Sequence, residues 1–131
     1  MLLHAITDAL LGAAALGDIG ELFPDTDPDN RGRDSAEMLA TAHGRVTAAG
    51  YRVVNLDCIV FAQAPKLSTY KNQIRERIAS ILSIEPACVC VKAKTGQHVG
   101  PVGRHESIMA EVVVLLATDP PATDTKHTTS A

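Results

Sequence analysis

The chain has 131 residues, of which 46% are hydrophobic, which is enough for one buried core and too few for two ordinary domains. Its formal net charge is -3 at pH 7, and its Lys and Arg residues are scattered, which argues against a basic surface for nucleic acid or for an anionic membrane. Aromatic residues make up 3% of the chain and Trp is absent, so an aromatic platform for stacking bases is also poorly supported.

The opening residues favour a cytoplasmic protein. Asp8 interrupts the first apolar segment and Asp18 closes it, so the segment is too short to span a membrane. There is no basic segment or small-residue cleavage site of a signal peptide. The three cysteines, Cys58, Cys88 and Cys90, are an odd number, as in a reducing compartment. We expect them to be buried apolar thiols, with metal binding by the "CVC" pair as the alternative.

Two helices are predicted in the first half of the chain. Apolar residues recur at helical spacing from Leu2 to Leu16, and Gly17 is placed to end this helix. A second helix is predicted over 35–49, because Asp34 is a suitable N-cap with Glu37 three residues later, a capping-box pattern.

The second half alternates strands with one helix. Residues 51–63 are rich in β-branched and aromatic side chains and predict a strand, followed by a helix within 68–84. Two further strands are predicted over 87–93 and 107–117, with a glycine-rich loop between them. This order predicts an α+β domain over 1–117, a mixed β-sheet layered with helices on one face, followed by a disordered tail over 118–131.

The stretch "HAITDALLGAAALGDIGELFPDTDP" places a histidine at the start of the first helix and aspartates after its end. His4 alone is more often a core histidine, but Asp8 lies one turn away and could take the proton on one imidazole nitrogen, leaving the other nitrogen free for a metal. The acidic segment after the helix is either a solvated turn region or a carboxylate-bearing loop that accepts hydrogen bonds from ribose hydroxyls.

Two later segments are weaker signals. "AQAPK" combines a strand end, a proline turn and Lys66, which suits a pocket wall as well as a plain connection. "KTGQHVGPVGR" superficially resembles a phosphate loop, but it lacks the ending G-K-S or G-K-T and precedes a strand, which argues against a nucleotide triphosphatase.

Taken in this order, "HAITDALLGAAALGDIGELFPDTDP", "AQAPKL" and "VKAKTGQHVGPVGRHESI" resemble the 2-C-methyl-D-erythritol 2,4-cyclodiphosphate synthases of the non-mevalonate isoprenoid pathway. The resemblance covers Leu3 to about Leu116. It implies a lyase that converts 4-diphosphocytidyl-2-C-methyl-D-erythritol 2-phosphate to the 2,4-cyclodiphosphate with release of CMP. It also implies a homotrimer with its sheets around the central axis, active sites between neighbouring subunits, and no nucleic-acid or membrane partner.

The resemblance further implies zinc at each subunit interface, together with magnesium or manganese. His4 would be a zinc ligand and Thr95 the residue that polarises the phosphate under attack. The other residues would bind the substrate, including the "DIG" stretch at the ribose and the "FPDTD" loop beside the erythritol. These are Asp18, Ile19, Gly20, Phe23, Pro24, Asp25, Thr26, Asp27, Ala62, Gln63, Ala64, Pro65, Lys66, Leu67, Lys94, Gln97 and Arg104.

The sequence also departs from the family. The family's opening strand carries D-x-H, which supplies two zinc ligands, and a later H-S segment helps to position the substrate. Here the chain begins just before His4, and Gln97 and Pro101 stand where a glutamate and a phenylalanine are usual. We therefore expect little synthase activity from these 131 residues, with a non-catalytic cytidine-nucleotide-binding trimer as the alternative. A plastid location would require a transit peptide upstream.

Overall fold

The computed structural model describes residues 1–30, 32–63, 69–104 and 106–119. It is an α+β domain in which three strands form one mixed sheet. The helices are α1 (Leu2–Ala13), α2 (Ile19–Leu22), α3 (Ser35–Ala48), α4 (Lys71–Leu82) and α5 (Gly100–Gly103), and the strands are β1 (Tyr51–Phe61), β2 (Val89–Lys94) and β3 (Met109–Thr118).

β1 is the central strand of the sheet, in the order β2-β1-β3. It pairs parallel to β2, with Phe61 opposite Lys94, and antiparallel to β3, with Phe61 opposite Met109. α4 lies between β1 and β2 in the chain, because a parallel pair needs a crossover connection. The carboxyl ends of β1 and β2 therefore lie side by side.

The core lies between one face of the sheet and the longer helices. Ile6 and Leu10 of α1, Leu39 of α3 and Ile78 of α4 are fully buried against the strands. The other face of the sheet carries no helix in the described part of the chain. Val113 there is 72% exposed and Leu115 is 55% exposed. None of the described helices is long and apolar enough to cross a membrane.

The predicted helices and strands are present, but several ends differ. α1 ends at Ala13 rather than Leu16, because the chain leaves the helix at Ala14 and Ala15 adopts a left-handed φ of +57°. Gly17 instead lies in the connection before α2, with a φ of +95°. Asp34 caps α3 as predicted, by accepting a hydrogen bond from the Ala36 amide at 3.0 Å.

The short helices α2 and α5 lie in segments predicted to be loops. Thr118, the first residue of the predicted tail, belongs to β3, and the Asp119 carboxylate pairs with Arg52 at 3.1 Å. The remainder of that tail, residues 120–131, lies outside the described residues.

The prediction of buried thiols is right for Cys58 and wrong for Cys90. Cys58 lies in the core, where burial, together with the charge of Asp57, raises the pKa of its thiol to about 12. Cys90 is exposed because β2 alternates, with Val89 and Val91 facing the core and Cys90 facing outward. On that outer face the Lys92 ammonium donates to the Asp57 carboxylate at 2.8 Å, which raises the pKa of Lys92.

Truncation of Leu10 tests the packing of α1 on the sheet. We expect Leu10→Ala to lower the free energy of unfolding by about 2–5 kcal/mol, since it removes a fully buried side chain and leaves a cavity. Urea denaturation at fixed protein concentration measures the change. The matched control Gln73→Ala, at an exposed position of α4, should stay within about 0.5 kcal/mol of wild type. A loss for Leu10→Ala no larger than that of the control would contradict this packing.

Candidate functional site

The parallel pairing of β1 and β2 brings two of the predicted site segments together. Just after β1, the Ala62 amide donates to the Lys94 carbonyl at 2.9 Å and so extends the pairing beyond Phe61. Ala62 and Gln63 therefore lie beside Lys94 and Thr95. Ligands of open α/β sheets bind at such carboxyl ends of parallel strands.

The glycine-rich loop folds tightly against this edge. A Cβ on Gly96 would collide with the backbone of Gly103, and a Cβ on Gly103 would collide with the backbone of His98, so both positions require glycine. Between them, Gln97 and His98 adopt left-handed φ values of +50° and +61°. Non-glycine residues in this conformation cost energy and concentrate at functional sites.

Side-chain hydrogen bonds hold this loop to the ends of β1 and β2. The Gln63 side-chain oxygen accepts from the His98 amide at 3.3 Å, and the Thr95 hydroxyl accepts from the Gln97 amide at 3.3 Å. The structure thus brings together five of the predicted residues. We call Ala62, Gln63, Lys94, Thr95 and Gln97 the strand-end group.

Other predicted residues of this region are placed differently or lie outside the described ranges. The Arg104 guanidinium donates to both carboxylate oxygens of Glu106, at 2.8 and 3.1 Å, so its charge is already paired. Residues Ala64, Pro65, Lys66 and Leu67 lie outside the described part of the chain.

His4 lies exposed at the start of α1, and its partner is Ser35. The His4 Nε2 atom is 3.0 Å from the Ser35 hydroxyl, at the first residue of α3. In the sequence, Asp8 is a possible partner for one imidazole nitrogen of His4. Instead, the Asp8 carboxylate accepts a hydrogen bond from the Ile19 amide at 3.0 Å. Asp8 turns away because the first turn of α2 has free amides that need acceptors.

Asp18 caps the short helix α2. One carboxylate oxygen, Oδ1, accepts from the Glu21 amide at 2.8 Å, as an N-cap does. Asp18 is exposed, so its second oxygen remains available to accept hydrogen bonds from a ligand. Gly20 lies two residues later and is exposed, so the backbone beside Asp18 is accessible.

The acidic loop after α2 is ordered by its own hydrogen bonds. The Asp27 carboxylate accepts from the Asp29 amide at 3.0 Å, and the Pro24 carbonyl accepts from the Asn30 side chain at 2.9 Å. The Phe23 ring is 5% exposed, whereas Asp25 and Asp27 are exposed to solvent. The loop therefore presents carboxylates outward from an anchored base.

Three residues that order this first half were not predicted to belong to the site. Ser35 contacts His4, Asn30 contacts Pro24, and Arg33 reaches both Asn30 and Glu37. Only the spacing of Arg33 and Glu37, four residues apart, was a signal in the sequence, since it is the spacing of a helical ion pair.

We call His4, Asp18, Ile19, Gly20 and residues 23–27 the helix-end group. Within the described ranges, no hydrogen bond joins the helix-end group to the strand-end group. Each group is ordered separately, and a ligand that contacts both would have to bridge them.

A metal site requires more ligands than these residues bring together. Protein zinc sites use at least three protein ligands. In the described part of the chain, no three His, Cys, Asp or Glu residues are grouped to hold a metal ion. The described residues therefore do not by themselves fit zinc, magnesium or manganese, although the exposed His4 imidazole could supply one ligand.

The fold and the site define a class of protein: an α+β domain with helices on one face of a mixed sheet, and candidate ligand groups at the carboxyl ends of its parallel strands and at the two ends of its first helix. The chain belongs to the YgbB family, whose model matches residues 1–117. The resemblance inferred from the sequence is thereby confirmed.

Similar proteins carry the name of the synthase. The chain is 53% identical over 117 residues to 2-C-methyl-D-erythritol 2,4-cyclodiphosphate synthase of Bordetella petrii, covering 89% of this chain and 72% of that protein. The bifunctional IspDF of Campylobacter jejuni superposes with a TM-score of 0.87 at 41% identity, covering 90% of this chain and 32% of that one. IspF of Plasmodium falciparum, in its CDP complex, superposes with a TM-score of 0.79 at 32% identity, covering 90% of this chain and 70% of that one.

The Asp8 bond to Ile19 can be tested by substitution. We expect Asp8→Ala to increase hydrogen exchange at the Ile19 amide and to lower the free energy of unfolding by about 1 kcal/mol, because it removes the acceptor. The matched control is Asp29→Ala, which removes an exposed carboxylate of the next loop and should leave exchange at Ile19 unchanged. Equal exchange at Ile19 in both variants would show that Asp8 does not hold α2.

Proposed function

We propose that this chain is a subunit of a 2-C-methyl-D-erythritol 2,4-cyclodiphosphate synthase in isoprenoid precursor biosynthesis. The supporting observation is that segments of the resemblance that are distant in the chain lie together: the His98 amide of the glycine-rich loop donates to the Gln63 side chain, and the Ile19 amide donates to the Asp8 carboxylate. The family membership and the named relatives support the same activity.

The proposed reaction is an intramolecular phosphoryl transfer. An oxygen of the 2-phosphate forms a bond to the β-phosphorus of 4-diphosphocytidyl-2-C-methyl-D-erythritol 2-phosphate. The bond from that phosphorus to the oxygen shared with the α-phosphate breaks, and CMP leaves with the electron pair. The products are CMP and the cyclic diphosphate, which makes the enzyme a phosphorus–oxygen lyase. Such reactions depend chiefly on alignment and on neutralisation of charge.

The chain's own residues can supply part of that alignment. Thr95 can donate its hydroxyl to a phosphate oxygen at the end of β2, where the exposed Lys94 adds a positive charge. The free oxygen of Asp18 can accept from the ribose hydroxyls, with Gly20 allowing close approach. Backbone groups of the segment that begins at Ala62, just after β1, would recognise the cytosine by hydrogen bonds.

We propose that the enzyme is a cytoplasmic homotrimer, and that one subunit's strand-end group meets its neighbour's helix-end group. The resemblance supports this arrangement, since it implies active sites between neighbouring subunits. Zinc, and magnesium or manganese, would assist with the phosphates, with His4 as one zinc ligand. Because the described residues do not by themselves fit a metal site, no step here depends on one.

A non-catalytic cytidine-nucleotide-binding trimer is the second candidate. The observation that favours it is Gln97, a neutral side chain at the position where the resemblance expects a carboxylate near the nucleotide and metal. Its amide nevertheless donates to the Thr95 hydroxyl, which keeps it in the strand-end group.

Titration with CDP and an assay of CMP release separate the two candidates. For the synthase we expect CDP binding by calorimetry that zinc strengthens, and CMP release from the substrate at the low rate expected of these 131 residues. We expect Thr95→Val to lower the rate of CMP release about 100-fold, as loss of one donor to a developing charge does, while CDP affinity changes little. Thr95→Ser, which keeps the hydroxyl, is the matched control. Zinc-independent CDP binding without CMP release would favour the second candidate, and no CDP binding would contradict both.

The proposed trimer makes its own prediction. We expect a solution mass of three times 13.8 kDa by sedimentation, with the outer face of the sheet buried at the axis. Val113→Arg should shift the protein to monomer, because a charge buried in an apolar interface is costly. Gln73→Arg, on the exposed side of α4, is the matched control and should remain trimeric.

Labelling of Cys90 checks which face is buried. In a Cys88→Ser variant, the remaining thiols are exposed Cys90 and buried Cys58, whose raised pKa keeps it unreactive at neutral pH. We expect slow reaction of Cys90 with a thiol reagent in the trimer and fast reaction after Val113→Arg. A trimer in which Cys90 reacts fast would contradict sheets packed around the axis.

A further inference from the structure

Arg33 connects three parts of the acidic loop region. Its guanidinium lies over the Phe23 ring, with the Cζ atom 5.0 Å from the ring centroid. Its Nη1 donates to the Asn30 side-chain oxygen at 3.1 Å, and its Nε and Nη2 reach the Glu37 carboxylate at 3.4 and 3.3 Å. Its side chain is 29% exposed, so most of it is covered by these contacts.

Asn30 links Arg33 to the other side of the loop. While its oxygen accepts from Arg33, its amide nitrogen donates to the Pro24 carbonyl at 2.9 Å. The same carbonyl accepts from the Asp27 amide at 3.1 Å. Arg33 is thus linked to Pro24 through Asn30 and to Phe23 directly, and these two residues begin the loop.

Glu37 anchors the arrangement to the folded core. It lies in the first turn of α3, and Leu39 of the same helix is fully buried. The contacts of Arg33 therefore tie the loop to a helix that cannot move freely. The Asp25 carboxylate, by contrast, is exposed and has no hydrogen-bond partner among the described residues.

We propose that Arg33 is a positioning residue, which holds residues 23–30 so that the exposed carboxylate of Asp25 and the neighbouring Thr26 face the sugar-phosphate part of the substrate. The inference rests on the proposed function, in which this loop lines the erythritol side. A loop already held in its bound conformation loses less conformational entropy when the ligand arrives. Arg33 would therefore contribute to recognition of the full substrate and not of CDP, which lacks the erythritol.

The test compares two ligands in a Thr95→Val background, in which we expect bound substrate to be consumed about 100-fold more slowly. We expect Arg33→Ala to weaken binding of 4-diphosphocytidyl-2-C-methyl-D-erythritol 2-phosphate by about fivefold to tenfold, the scale of one lost cation–π and hydrogen-bonded contact. The affinity for CDP should stay within about twofold, since CDP lacks the erythritol that the loop is proposed to line. Calorimetry measures both affinities.

Conservative and matched variants identify the contacts that matter. Arg33→Lys keeps a cation over Phe23 but loses the forked hydrogen bonds, so we expect it to recover part of the substrate affinity. Asn30→Ala should reproduce the loss, and the double variant should lose less than the product of the two single effects, because both act through one connection. Arg45→Ala, which removes an exposed arginine at the far end of α3, is the control and should leave both affinities unchanged.

Hydrogen exchange gives a readout that does not depend on any ligand. We expect faster exchange of the Asp27 and Asn30 amides in Arg33→Ala, with exchange across β1 unchanged. If the parent protein binds neither ligand, the proposed function fails and this inference fails with it. If it binds both, and Arg33→Ala binds both equally well or loses both equally, the inference alone is overturned.

Discussion

The parallel pairing of β1 with β2 is the constraint on which the site depends. Because Phe61 lies opposite Lys94, the residues that follow each strand must leave the sheet side by side. The alternation of β1 then determines which side chains enter the core, since a shift of one residue would turn Leu56 and Cys58 to the outer face. Packing of the helices on the inner face therefore holds the same register that places Gln63 beside the glycine-rich loop.

The two groups of site residues are stabilised in different ways. The strand-end group is held by backbone pairing and by close contact between Gly96 and Gly103, which leaves no space for larger residues. The helix-end group is held by side chains that accept from backbone amides, with Asp8, Asp18 and Asp27 each satisfying one. Carboxylates suit this role because the amides at the start of a short helix have no acceptor within the helix. The aspartates of this region thus have a structural role as well as any role towards a ligand.

The helices, strands and fold class could be predicted because periodicity and capping are local properties. α3 begins at Asp34 as expected, and β1 follows its run of β-branched residues. The candidate site residues, by contrast, came from the resemblance and not from local patterns. The partner of Asp8 could not be predicted from the sequence. Spacing along α1 favours His4 as its partner, whereas the amide of Ile19 comes within hydrogen-bond distance only after the chain has folded back. Arg33 was missed for a similar reason, since its contacts with Phe23 and Asn30 depend on the path of the whole loop.

The contact between α1 and β3 has a consequence for biosynthesis. One core cluster is contacted by both ends of the described chain. Leu2 and Leu3 of α1 pack against it, and so do Val112 and Val114 of β3. During synthesis on the ribosome, α1, α3 and β1 emerge long before β3 can cover them, and contacts between such distant parts of a chain form slowly. The apolar face of α1 therefore stays partly uncovered until the residues beyond 109 have been synthesised. A nascent chain halted before them would expose an apolar surface of the kind that chaperones recognise.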